Sequence, residues 1–181
     1  MKKIWSLVIT FSLLLAIFSP LADAKRPPVP TPIPNISSKT VAQKIKSGTY
    51  SYYGVKLGNY FSVVKKKWGK PTKRSVYKSS ITIPEYSYGP IGNLKVKGTA
   101  RGSVSEYKVK VDHIMMSTRS NTKYEYKTVM KNFGATKDIR TSGSIRMVTW
   151  TKDNTYTIIN FKKVGTKWYA YSLSNSKVGL R

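Results

Sequence analysis

The sequence predicts an α+β fold, with helices laid against one face of an antiparallel sheet. Three observations carry this expectation. A short helical segment with its own start and stop residues returns 65 residues later. Each copy is followed by runs of β-branched and aromatic residues. Those runs are separated by the turn-forming residues Gly, Pro, Asn and Asp.

In chain order, residues 1–24 read as a secretory signal. Lys2 and Lys3 form a basic start, residues 4–18 an apolar run, and Ala22-Asp23-Ala24 a cleavage site. The run approaches membrane-spanning length, but Ser6, Ser12, Ser19 and Pro20 interrupt it, which favours cleavage over anchoring. No cysteine follows it, so a lipoprotein anchor is excluded. Residues 25–36 form a Pro-rich leader, with five prolines between 25 and 35, expected to be extended and outside any core. The span 38–47 suits a helix with Val41, Ala42 and Ile45 on one side and Gly48 closing it.

The segment 54–71 is the best-defined element. Asn59 is the expected N-cap, Phe61, Val64 and Trp68 fall on one helical face, and Gly69 and Pro71 end the helix. Strands are expected at 75–77, 81–88, 94–97 and 106–117. In the last, Val109, Val111, His113 and Met115 form the apolar side, alternating with Lys108, Lys110, Asp112 and Ile114. The second helix, 123–133, repeats the first: Tyr126, Val129, Phe133 and Gly134 occupy the places of Phe61, Val64, Trp68 and Gly69. Thr122 and Glu125 suggest a capping box before it. Strands follow at 138–141, 145–151, 155–162 and 167–173, with turns at Asp153-Asn154 and Val164-Gly165. The expected units are therefore 37–118 and 119–176, with a tail at 177–181.

The string Gly54-Val-Lys-Leu-Gly58, then Val63 or Val64, then Trp68-Gly-Lys-Pro71, followed by aromatic strands, resembles the β-lactamase-inhibitor-like (BLIP-like) family, in particular its secreted Gram-positive, YjgB-type relatives. The resemblance covers 54–117 well and 122–175 more weakly; the second copy lacks the leading glycines and the proline. It implies two helix-plus-antiparallel-sheet repeats sharing one continuous curved sheet, helices on one face and the other face free to bind. In the best-known members that face grips a protein, and no catalytic motif is implied here.

Charge is the dominant chemical feature. The chain carries 33 Lys and Arg against 7 Asp and Glu, a formal net charge of +26. Lysines outnumber arginines 26 to 7, which suits generic contact with a polyanion more than base reading. Lys65, Lys66, Lys67, Lys70, Lys73 and Arg74 cluster at the end of the first strong helix and are the candidate polyanion-binding residues. A helix macrodipole favours lysines there, but it does not explain nearly five positive charges per negative one. Arg146, Trp150, Tyr169 and Tyr171 are candidates for a partner-binding sheet face.

Catalytic chemistry has little to stand on. With no cysteine there is no thiol chemistry, disulfide or Cys-ligated metal. His113 is the sole histidine, so zinc has almost no ligand set. A glycosidase would draw on Glu85, Glu106, Asp112 and Asp138, each among lysines that favour ionisation and so disfavour a general acid. The expectation is a secreted, non-enzymatic binding protein without cofactor or metal, at the cell surface or beyond it. An anionic, teichoic-acid-like wall polymer would hold it, and the open sheet face would bind, and in one reading inhibit, an extracellular protein. The alternatives are a nucleic-acid or glycosaminoglycan binder, and a wall carbohydrate hydrolase.

Overall fold

Ser38 opens the first helix by accepting the Val41 amide on its hydroxyl, and α1 (Lys39–Lys46) turns Ala42 and Ile45 into the core. Helix α2 (Phe61–Trp68) buries Phe61, Val64 and Trp68, and α3 (Tyr126–Phe133) buries Val129 and Phe133. Gly69 and Gly134 end these two helices at φ 72° and 85°, backbone that glycine adopts without a Cβ penalty. The computed structural model describes residues 33–89, 93–118 and 122–179. The signal segment and all but the end of the Pro-rich leader lie outside them. No helix among the described residues is long and apolar enough to cross a membrane.

The helix starts differ from expectation. Tyr60 and Glu125 are the N-caps, and neither makes a side-chain cap. Both are instead held by backbone bridges to the sheet, Tyr60 with Lys110 and Glu125 with Tyr169. Asn59 Oδ1 accepts the Lys56 amide at 2.9 Å, closing the preceding turn, while the Glu125 carboxylate accepts from Lys167 Nζ at 3.2 Å.

Nine strands form one open sheet: β1 (Lys73–Lys78), β2 (Ile81–Tyr88), β3 (Leu94–Gly98), β4 (Ala100–Arg101), β5 (Val111–Ser117), β6 (Ile139–Ser142), β7 (Ile145–Lys152), β8 (Thr155–Val164) and β9 (Lys167–Lys177). Their order is β1-β2-β3-β5-β9-β8-β7-β6, all antiparallel, with β4 added alongside β2. Two meanders thus meet at the centre through their last strands, β5 and β9.

Paired residues project to the same face, so the register defines the core. One row runs Tyr86, Val96, Ile114, Asn175, Thr157, Trp150, and the next Tyr88, Leu94, Met116, Leu173, Ile159, Val148; all are buried. The helices lie against this face. Phe61 meets Tyr86 edge-on at 4.9 Å and Trp68 meets Tyr88 at 5.3 Å, while Tyr126 packs on Phe161 and Phe133 on Trp150. Asn175 Nδ2 donates to the Ile45 carbonyl at 3.0 Å, fixing the end of α1.

Two expectations need correction. The end of the leader joins the core: Ile33 and Ile36 are buried, and Tyr124 donates its hydroxyl to the Ile33 carbonyl. Two isoleucines outweigh the polar, proline-rich composition around them. Second, the span 106–117 is not one regular strand. Residues Glu106–Lys108 form a 3₁₀ turn, and a register shift at Lys97/Gly98 sets Val111 opposite Gly98 and His113 opposite Lys97, leaving Asp112 as the extra residue. The alternation therefore reverses: Ile114 and Met116 face the helices, while His113 and Met115 lie on the other side.

Candidate polyanion-binding surface

The face turned away from the helices is built from the alternate residues of the same strands. Its rows are Glu85, Lys97, His113, Ser176, Tyr156 and then Ser87, Lys95, Met115, Ser174, Ile158. Small side chains occupy its centre, because the outward positions of β9 are Ser172, Ser174 and Ser176. Ser172 accepts from Asn160 Nδ2 at 2.8 Å, and Ser174 Oγ lies 3.2 Å from His113 Nε2. The result is a polar floor along β9, with Met115 and Ile158 to either side and Lys95 and Lys97 on the next strand but one. The every-second-residue serines were present in the sequence as a signal; a stretch scored for apolar strand character overlooks them.

The basic cluster at the end of α2 is only partly free. Lys66, Lys67, Lys70 and Lys73 are exposed. Lys65 Nζ donates to the Tyr107 hydroxyl at 3.2 Å and lies 4.8 Å from that ring's centroid. Arg74 is engaged: its guanidinium holds both carboxylate oxygens of Glu106, the shortest contact 2.8 Å. Glu106 is 4% exposed, so this bond neutralises a buried charge. The contact to Glu106 also raises the Arg74 pKa further above its ordinary value.

The four residues expected on a partner face are not brought together. Trp150 is 3% exposed on the helix side, donating its indole N–H to the Gly134 carbonyl at 2.8 Å. Arg146 is on that side too, its guanidinium carbon 4.3 Å from the Trp168 centroid and 4.8 Å from that of Tyr126. Tyr169 pairs with Lys162 and belongs to the opposite face by register. Tyr171 sits at a second register shift, between Ala170 and Ser172, and its carbonyl accepts the Thr118 amide. Two bulky residues in alternation cannot say which side the helices take, and here the helices take Arg146 and Trp150.

Other carboxylates are spread through the fold. Asp138 pairs with Arg140 at 3.4 Å, and Asp153 lies in the β7–β8 turn, where it and Asn154 have φ of 49° and 58°. Among the described residues no group of three His, Asp or Glu could hold a metal ion. His113 is half-buried, and its pKa is lowered, first by burial and then by Lys97, with Glu85 acting in the opposite sense.

No protein-family model, no curated protein and no solved structure matches the chain.

Proposed function

We propose that this protein is an exported, non-enzymatic binding protein held at the cell surface by an anionic polymer of repeating phosphate, teichoic-acid-like in its chemistry. The observation that carries the reading is the imbalance of displayed charge. Among the described residues, where Lys and Arg far outnumber Asp and Glu, three ion pairs are seen, and Lys167 is the lysine in them. An excess of ammonium groups repels itself, and a phosphate polymer nearby offsets that repulsion. Lysine ammoniums tolerate many contact geometries, as a flexible polymer requires. Lys66, Lys67, Lys70 and Lys73 form one exposed group close together in the chain.

The helix–meander–helix–meander order supports reading the chain as two repeats of one unit, consistent with the BLIP-like resemblance. Tyr60 and Glu125, Phe61 and Tyr126, Trp68 and Phe133, and Gly69 and Gly134 are each 65 residues apart and hold corresponding positions. On this reading the uncovered face is the place for an extracellular protein partner, which binding there would inhibit.

Tyr77 and Tyr107 favour a second reading, a single-stranded nucleic-acid binder. Tyr77 is 58% exposed between Val76 and Lys78, and Tyr107 lies beside Lys65. Exposed rings among lysines are the parts of a base-stacking surface.

One experiment tests both. The secreted protein is bound to purified walls, with and without their phosphate polymer, and eluted with salt. Retention should require the polymer and fall steeply with ionic strength. Reversing Lys65, Lys66, Lys67 and Lys70 to Glu should lower the log-affinity against log-salt slope by about 0.7 per lost contact. Unchanged retention after charge reversal removes this cluster from the proposal. A preference for single-stranded nucleic acid, lost in Tyr77→Ala with Tyr107→Ala, would favour the second reading.

A further inference from the structure

We propose that the Arg146 guanidinium, held by two aromatic rings on the helix side of the sheet, is a site for one phosphate diester of the polymer. The proposal rests on the polyanion reading and deepens it, naming a contact made by shape where the lysines at the end of α2 offer charge alone. Arg146 lies on β7, one strand in from the edge strand β6, and is half-buried. Its guanidinium carbon is 4.3 Å from the Trp168 centroid and 4.8 Å from that of Tyr126. Both lie within the roughly 6 Å over which a cation is drawn to a ring face. Its Nε donates to Thr141 Oγ1 at 3.2 Å. Contacts from α3, β6 and β9 thus orient one side chain.

Strand register explains the grouping. Arg146 pairs with Thr141 on one side and Phe161 on the other, so all three project to the same face. Phe161 packs on Tyr126 at 5.1 Å, which brings the first residue of α3 to this end of the sheet. Two residues beyond Phe161, Lys163 pairs with Trp168. Lys163 is therefore exposed on the Arg146 face as its diagonal neighbour, about 7–8 Å away. The carboxylates that precede α3 and β6 are engaged elsewhere: Glu125 binds Lys167, and Asp138 binds Arg140. None of the ion pairs among the described residues includes Arg146.

With Nε committed to Thr141, the two terminal nitrogens of Arg146 remain as a planar pair of donors. Such a pair matches two oxygens of one phosphate bidentately, which an ammonium cannot do. A phosphate diester keeps two unesterified oxygens for that edge, and its substituents can lie against the rims of Tyr126 and Trp168. Lys163 adds a second positive charge on the same face. The rings and Thr141 hold the guanidinium in place before the ligand arrives, so little side-chain entropy is lost on binding. The competing account is a stack that only packs α3 against the sheet, and it predicts no response to phosphate.

The test follows the Trp168 indole by NMR in the secreted protein, titrated with a short glycerol-phosphate oligomer, inorganic phosphate or oligoglutamate at matched ionic strength. Trp68 and Trp150, whose indole N–H groups are bonded to backbone carbonyls, serve as internal controls for the fold. The oligomer should shift Trp168 saturably and leave the other two unmoved. Inorganic phosphate and oligoglutamate should bind several-fold more weakly. Arg146→Lys, which keeps the charge and loses the fork, should weaken the response roughly tenfold or more, the scale of one charge-assisted contact. Lys163→Gln, outside the stack, should weaken it by a smaller factor, and Lys66→Gln with Lys67→Gln should leave it intact. A response absent from the natural chain, or undiminished in Arg146→Lys, overturns the proposal. Equal binding of inorganic phosphate or oligoglutamate overturns the choice of a phosphate diester. If Arg146→Lys disturbs the Trp68 or Trp150 resonances, Lys163→Gln decides, and an undiminished response there overturns the proposal. If Trp168 is silent while the protein still needs high salt to leave the polymer, the site is refuted and the broader reading stands.

Discussion

Trp68 shows how a single side chain ties sequence to fold. Its ring packs edge-on against Tyr88, and its indole N–H donates to the Tyr53 carbonyl at 3.1 Å, joining the end of α2 to the segment before it. Trp68→Ala should cost about 3–5 kcal/mol, the range for deleting a buried aromatic ring. Trp68→Phe keeps an aromatic ring and loses the N–H bond, worth about 0.5–1.5 kcal/mol. Denaturant unfolding of both variants checks this; a silent Trp68→Ala would mean that α2 is not docked through this ring. His113 behaves differently, because its folded-state pKa lies below the ordinary value. The unfolded chain therefore takes up the proton first as pH falls. Stability is fully present above the ordinary histidine pKa of about 6.5 and is lost as pH drops through the lowered folded value. His113→Gln should flatten that limb of the stability–pH curve; an unchanged limb would assign the loss to other groups.

At the scale of elements, the β5 bulge decides most of what differs from the sequence reading. Gly98 is required there: a Cβ would sit 2.2 Å from the Lys110 carbonyl oxygen and 2.9 Å from the Phe61 ring. Gly98→Ala must shift backbone as well as side chain, and should cost about 1–3 kcal/mol by overpacking. Thermal unfolding measures the cost, and a change within error would show that the strand has room to yield. The helical stripes of Phe61, Val64 and Trp68 and of Val129 and Phe133 were legible, because a 3.6-residue period survives any detail of tertiary contact. The phase of β5 was not, since one extra residue, Asp112, exchanges the two faces and no local composition marks it. Strand β4, two residues long, carries no period at all. The side taken by Trp150 was hidden for another reason. Its strand offers bulky residues on both faces, and only the packing of Phe133 reveals which face is inside. Of the basic cluster, the exposed lysines were readable from the run itself, while Arg74 was not, because its partner Glu106 is 32 residues away.

For the molecule as a whole, the competition is between a core that spans the entire sheet and a charge that pushes its surface apart. The buried rows cross from Tyr86 to Trp150 without interruption, so the two meanders share one core. Three ion pairs among the described residues do little to offset the surplus: the basic group is largely exposed in each, and in two of them, Arg140–Asp138 and Lys167–Glu125, the carboxylate is partly exposed as well. Screening should therefore stabilise this protein. Like charges separated by more than about 10 Å are largely screened at roughly 0.1 M salt, whereas the buried apolar rows carry no charge to screen. Raising sodium chloride from a few millimolar should raise the thermal midpoint, by roughly 2–4 °C for each kcal/mol of repulsion removed in a chain of this size. A phosphate polymer should produce the same gain at far lower ionic strength, because it binds the folded surface where its charges lie closest. Calorimetry with and without polymer separates the two effects. A midpoint that falls with salt would mean that attraction between opposite charges outweighs repulsion, and the physical motive for a polyanionic partner would be gone.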